Sequence, residues 1–273
     1  MKRTIIIFSV VVALLLTLPL GAQRRKNQIT TSGSTTVLPI AQAAAEAYMD
    51  KYPNINISVR GGGSGVGVAA LQNGTVDIAN SSRPMKSKEI ASCKSKGINP
   101  SAYAIANDGI AMVVHPSNTV TNLSVAQIRD IYTAKIKNWN QVGGPNMPIV
   151  IISRDVASGT FEVFNEKALK GGKVDGTAQM LASNNAVVTT VASTPGAIGY
   201  AGLGYVNKDI KVIKVANVMP TEDTVKNASY PLSRKLYMFT SGKAKGEIGK
   251  FIAFIQSDEG QELVKKQGFI SLK

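Results

Sequence analysis

The chain has 273 residues, with 31 Lys and Arg against 17 Asp and Glu, a formal charge of +14, one cysteine and one histidine. The single cysteine (Cys93) excludes an intrachain disulfide and a cysteine-rich metal site, and the single histidine (His115) excludes a histidine cluster. The length fits one large domain or two lobes, and the charge admits nucleic acid, anionic lipid or a small anion as partner.

Met1-Lys2-Arg3 opens the chain, and residues 4–20 are apolar apart from Thr4, Ser9 and Thr17. Gly21-Ala22 then precedes a polar run, so residues 1–22 read as a secretory signal peptide, the alternative being an uncleaved membrane anchor. No cysteine stands near the cut, so no lipid-anchored mature terminus is expected. Export makes nucleic acid a poor partner, and Lys86, Lys88, Lys94 and Lys96 read as a solvated helix face rather than a binding stripe.

Beyond this segment strand-like and helix-like stretches alternate. Residues 28–31 predict a strand, 38–51 a helix, 55–59 a strand of two-residue period, 66–72 a helix, 76–79 a buried strand and 86–96 an exposed helix ended by Gly97. Residues 103–115 predict a long strand interrupted at Asn107-Asp108-Gly109, followed by a helix over 124–132, a strand over 149–153 and a helix over 159–168. Strands at 197–200 and 210–215 and a helical pair at 244–255 and 259–267 close the chain. The alternation of βα units with mostly apolar strands predicts α/β sheets covered by helices.

Three strand-to-helix loops are rich in glycine and hydroxyl residues: Thr31-Ser32-Gly33-Ser34-Thr35-Thr36, Gly61-Gly62-Gly63-Ser64-Gly65-Val66-Gly67, and Ser153-Arg154-Asp155-Val156-Ala157-Ser158-Gly159-Thr160. A helix N-terminus offers unpaired amides and partial positive charge, glycine permits close approach, hydroxyls add donors, and Arg154 adds a charge-assisted one. Each loop alone is equally well a set of helix caps; their coincidence points to an oxyanion seat. Gly65-Val66-Gly67-Val68-Ala69-Ala70 fits a relaxed dinucleotide fingerprint, but no acid follows at the required distance and no Walker lysine follows any of the glycines. No nucleophile elbow occurs, His115 precedes Pro116 at a strand end, and Trp139 reads as a loop anchor, so binding without catalysis and without a cofactor or metal is expected.

Six ordered blocks carry a resemblance over nearly the whole mature chain: SGSTTVLPIAQ at 32–42, GGGSGVG at 61–67, GTVDIANSSRP at 74–84, NDGIAMVVHPSN at 107–118, SRDVASGTF at 153–161 and GAIGYAGLGYV at 196–206. Together they resemble the PstS-type phosphate-binding proteins that deliver phosphate to an ABC importer. The resemblance implies a type II periplasmic-binding fold, with lobe one over residues 24–106 and 231–273 and lobe two over 107–230, joined by crossing hinge strands. It further implies an exported, periplasmic monomer that docks on a membrane permease. Carried over by position, Thr35, the backbone at Thr36, and Ser64 bind phosphate from lobe one, Arg154, Ser158, Gly159 and Thr160 bind it from lobe two, and Ser34 is a neighbour. Ser82 stands where many relatives carry an Asp that accepts the phosphate proton, with Arg83 beside it. Either Asp108 takes that acceptor role or Arg83 adds a second charge. Sulfate, molybdate or another tetrahedral oxyanion remains an alternative ligand, and an exported hydrolase using Ser64 or Ser158 is the alternative of a different class.

Overall fold

The computed structural model describes residues 27–273; the expected signal peptide lies outside them. In the first lobe β1 (Gln28–Gly33), β2 (Asn56–Arg60) and β3 (Ile78–Ser81) run parallel in the order β2-β1-β3, with α1 (Leu38–Lys51) and α2 (Ser64–Gln72) as crossovers. α1 carries Pro39 in its first turn, where a missing amide costs nothing, and buries Ile40, Ala44 and Tyr48 at helical spacing. α3 (Ser87–Ser95) leads into β4 (Pro100–Val114).

β4 is the strand that crosses between lobes. Residues 100–109 pair with β10 (Ser233–Ser241), and residues 110–114 pair with β8 (Ala197–Gly202) and, from Met112 on, with β9 (Lys211–Val215). The rest of the second lobe comprises β5 (Asn122–Leu123), α4 (Val125–Tyr132), β6 (Val150–Arg154), α5 (Gly159–Phe164), β7 (Gln179–Leu181), α6 (Asn184–Ser193) and α7 (Glu222–Lys226). β10 returns the chain to the first lobe, where α8 (Gly246–Gln256) and α9 (Asp258–Lys266) pack on α1. Each lobe has its own core: Ile29, Ile40, Tyr48, Phe251 and Val264 in the first, and Met112, Ile128, Tyr132, Trp139, Phe164 and Tyr200 in the second. Trp139 is buried and donates its indole N–H to the Gly196 carbonyl at 2.9 Å, so it anchors its loop.

The α/β alternation holds throughout, with four departures. The interruption expected at Asn107-Asp108-Gly109 is absent, because Asp108 lies in register with Arg234 of β10 and pairs with it, so a carboxylate is tolerated inside the strand. The helix expected from residue 66 begins at Ser64, directly after Gly63, whose φ of 101° turns the chain into it. The buried strand expected over 76–79 runs two residues later, at Ile78–Ser81. The helix expected over 159–168 ends at Phe164 and continues as one wider π-helical turn over Asn165–Leu169, stopped by Lys170 in the left-handed conformation. β5, β7, α6, α7 and β10 have no counterpart among the predicted elements, and α6 and β10 prove central to the site.

Candidate functional site

The loops after β1 and β2 and the loop after β6 leave the C-terminal ends of parallel strands and meet across the interface between the lobes, the crevice in which α/β folds present their ligands. Thr36 Oγ1 of the first lobe lies 2.9 Å from Thr160 Oγ1 of the second, Arg154 Nη2 donates to Thr35 Oγ1 at 3.2 Å, and the Gly65 amide donates to the Ala157 carbonyl at 3.0 Å. The lobes are closed on one another.

Arg154 ends β6 and is 1% exposed. Its Nε donates to the Leu181 carbonyl at 3.0 Å and its Nη2 to the Ala182 carbonyl at 3.0 Å, which aims the guanidinium plane. Among the described residues no carboxylate pairs with it and its buried Nη1 has no hydrogen-bond partner, and burial pushes its pKa below the ordinary arginine value. A desolvated, uncompensated cation with a spare donor is the property expected of an anion ligand.

The hydroxyls around it are arranged as donors. Ser158 Oγ caps α5 by accepting from the Phe161 amide at 3.2 Å, and Ser34 Oγ accepts from the Thr36 amide at 3.1 Å. Each therefore caps a chain turn, as the plain reading of these loops holds, and keeps its own O–H to give. The Thr36 amide, expected to face the ligand, is turned to Ser34 instead. Ser64 Oγ accepts from the Ser82 amide at 3.0 Å and lies 3.3 Å from Ser82 Oγ, so two buried hydroxyls face one another beside Gly159.

Gly159 is the steric key of closure. A Cβ there would stand 2.2 Å from Ser64 Oγ and 2.8 Å from both Ser64 Cβ and Ser82 Oγ, all on the opposite lobe. Gly159→Ala is therefore expected to hold the lobes apart and weaken oxyanion binding by about 10–100-fold, with an unchanged melting temperature in ligand-free protein; calorimetry and thermal melting check this.

Arg83 is not brought to the anion seat. Its guanidinium makes a bidentate pair with Glu89, both contacts at 2.7 Å, and its Nε meets Glu162 of the second lobe. Both carboxylates neutralise it, so it brings no second charge to the seat. Burial pushes the Glu89 carboxyl up, but hydrogen bonds from Arg83 and the Lys86 amide hold it below its ordinary range. Asp108 is also spent: Oδ2 accepts from Arg234 Nε at 2.8 Å and Nη2 at 2.7 Å, and Oδ1 accepts from the Leu203 amide at 2.9 Å. Burial pushes this carboxyl up against the opposing pull of Arg234.

Sequence reasoning missed Arg234 and Asn184. Arg234 Nη1 donates to Thr160 Oγ1 at 3.0 Å and Nη2 to Thr36 Oγ1 at 3.3 Å, so one guanidinium on the return strand joins hydroxyls of both lobes. Asn184 Nδ2 donates to Thr35 Oγ1 at 3.1 Å and Thr36 Oγ1 at 3.0 Å, while its Oδ1 accepts from the Gly202 amide at 3.2 Å. The available signal for Arg234 was its place three residues after Pro231, at the expected return crossing; nothing local marks Asn184. Tyr205 donates its hydroxyl to the Thr35 carbonyl, and burial pushes its pKa up to about 12, so it stays a neutral donor. No cluster of His, Cys, Asp and Glu able to hold a metal exists among the described residues. His115 lies at the end of β4, where its Nδ1 is 2.7 Å from Ser117 Oγ in a local turn.

Comparison with known proteins places this geometry. The model of the PBP superfamily domain matches residues 20–259. The phosphate-binding protein PstS of Bacillus subtilis is 33% identical over 256 residues, covering 92% of this chain and 82% of its own, and protein SphX of Synechococcus elongatus is 34% identical over 92% of this chain and 79% of its own. A protein of Clostridium perfringens described as a phosphate ABC transporter substrate-binding protein, solved with bound phosphate, superposes with a TM-score of 0.84 at 36% identity over 90% of this chain and 100% of its own. An ABC-type phosphate transport receptor from Vibrio cholerae superposes with a TM-score of 0.73 at 34% identity over 89% and 99%. With two lobes of the type II periplasmic-binding fold and relatives of this identity over nearly its whole length, the chain belongs to the PstS family of phosphate-binding proteins within the PBP superfamily.

Proposed function

We propose that the protein captures inorganic phosphate between its lobes and delivers it to the permease of an ABC importer. The observation that carries this reading is Arg154: a buried guanidinium with no carboxylate partner among the described residues and a free Nη1, bonded to Thr35 at the interface where Thr36 meets Thr160. The Arg234–Asp108 pair is neutral as a unit, so the seat offers one net positive charge and a shell of hydroxyl, amide and side-chain N–H donors. Such a seat holds a tetrahedral oxyanion by hydrogen bonding and releases it unchanged.

The lobes of this reading are residues 24–106 with 231–273, and 107–230. Their hinge lies where β4 changes partners between Gly109 and Ile110 and where β10 begins at Ser233. In this reading the protein works as a monomer outside the cytoplasmic membrane, exported by the segment before residue 23. Relatives such as PstS of Bacillus subtilis are named phosphate-binding proteins, and among the described residues the Ser64 and Ser158 hydroxyls bond to Ser82 and the Phe161 amide rather than to a base that would activate a nucleophile.

A second reading, a less selective oxyanion binder that accepts sulfate, is favoured by one observation: the carboxylate of Asp108 faces Arg234 and the Leu203 amide, and Ser82 supplies a hydroxyl in place of an acid. A carboxylate repels an anion that has no proton to share, whereas a hydroxyl does not. Titration calorimetry with phosphate, sulfate and arsenate at two pH values separates the readings. Phosphate and arsenate are expected to bind with similar heats and sulfate more weakly; sulfate binding as tight as phosphate would overturn the phosphate assignment.

A further inference from the structure

We propose that Glu162 is an affinity-setting latch: it touches no ligand, but by pairing with Arg83 and Lys86 across the cleft it holds the lobes closed and sets the rate at which phosphate leaves. This rests on the phosphate-binding reading above. Glu162 lies in α5 two residues after Thr160, so its carboxylate moves with the loop that carries Ser158, Gly159 and Thr160. From the first lobe Arg83 Nε meets it, and Lys86 Nζ lies 2.8 Å from its Oε2. Every closing motion that brings Thr160 to Thr36 thus also brings Glu162 to two cations.

The geometry of Arg83 makes the latch reversible. Its Nη1 and Nη2 are held by Glu89, and Nη1 also donates to the Pro84 carbonyl at 2.8 Å, all within the first lobe. Arg83 therefore keeps a carboxylate partner when the lobes part, and of its own ion pairs opening breaks only the one with Glu162. With Glu89 bound, Arg83 and Lys86 leave the first lobe one positive charge in excess, and Glu162 brings one negative charge to meet it. The side chains of Arg83 and Glu162 are 4% and 16% exposed, against 50% and 54% for the surface pair Lys51–Glu259. Salt screens such a partly buried pair less than a surface pair, and it contributes more.

A cleft of about 800 Å³ opens beside the pair, lined by Met85, Lys86, Phe161, Glu162 and Lys170. The contacting atoms themselves, Arg83 Nε and Glu162 Oε2, are buried. The latch acts on the population of the closed form: apparent affinity scales with the fraction of protein that is closed, and loss of a closed-state contact appears mainly in the dissociation rate.

The test is Glu162→Gln, which keeps the shape and removes the charge, with Lys86→Met as a milder variant at a half-exposed position. Calorimetry gives the phosphate Kd, stopped-flow release gives the dissociation rate, and both are measured at low and high salt. Glu162→Gln is expected to raise Kd and the dissociation rate together by roughly tenfold, Lys86→Met by roughly threefold, and Glu162→Asp to recover part of the loss. The wild-type dissociation rate is expected to rise with salt and that of Glu162→Gln to change little. Unchanged release in Glu162→Gln, or in Lys86→Met if the first variant does not fold, overturns the latch. A wild-type protein that binds no phosphate overturns the functional reading instead, so the two failures are distinct.

Discussion

Replacing Arg154 with methionine is expected to weaken phosphate binding by roughly 30- to several-thousand-fold while leaving the melting temperature of ligand-free protein unchanged or raised. The expectation combines two facts that ordinarily oppose one another. Arg154 is 1% exposed and positioned by the Leu181 and Ala182 carbonyls, so it resembles a structural side chain; yet among the described residues it has no counter-ion, and one of its donors has no partner, so burying it is costly. Methionine keeps the apolar stem and removes the charge. Losing a buried charge-assisted contact to an anion costs about 2–5 kcal/mol, roughly 30- to several-thousand-fold in Kd. Calorimetry measures the binding, and thermal melting with and without phosphate measures the rest: wild type should melt higher with phosphate, and Arg154→Met should show no such rise. A variant that binds as tightly as wild type, or one that melts well below wild type without ligand, would show that Arg154 is structural.

This separation of structural from binding charges explains which residues were legible in the sequence. Thr35, Thr36, Ser64, Arg154, Ser158, Gly159 and Thr160 sit in strand-to-helix loops whose composition announces them, because a loop that must approach a small anion has to be built from glycine and hydroxyl residues. The structure brings these loops together. Arg83 was equally visible as a cation next to the candidate seat, but its destination depended on Glu89 and Glu162, one on the following helix and one in the other lobe. Charge identifies a residue; only its partners decide whether that charge is available.

Arg234 and Asn184 were illegible for a different reason. Arg234 reaches the seat because β10 lies antiparallel to β4 with Arg234 opposite Asp108, a register set by pairing between residues more than a hundred positions apart. Asn184 starts α6 among β-branched residues that make a poor helix signal, and its side chain reaches Thr35 and Thr36 only through the closed lobes. The same long-range pairing erased the interruption expected at Asn107-Asp108-Gly109. What local patterning supplied was the set of glycine- and hydroxyl-rich loops that meet between the lobes; what it lacked was the pair of crossing strands that locks them together.

That lock gives the second large effect. Asp108→Asn is expected to lower the melting temperature by about 6–20 °C while leaving the preference for phosphate over sulfate in place. Asp108 is fully buried and gives both oxygens to protein donors, Oδ2 to Arg234 and Oδ1 to the Leu203 amide. Asparagine nearly preserves the shape but leaves the Arg234 guanidinium buried without its counter-ion, at a cost of about 3–5 kcal/mol, and each kcal/mol moves the midpoint by about 2–4 °C in a protein of this size. Phosphate should restore part of the loss, because an anion beside Thr36 and Thr160 lies next to the two hydroxyls that Arg234 holds. If Asp108 instead accepted the phosphate proton, Asp108→Asn would lose selectivity against sulfate with little loss of stability. Melting curves together with competition calorimetry separate the two outcomes, and the geometry of both carboxylate oxygens places Asp108 with the hinge rather than with the ligand.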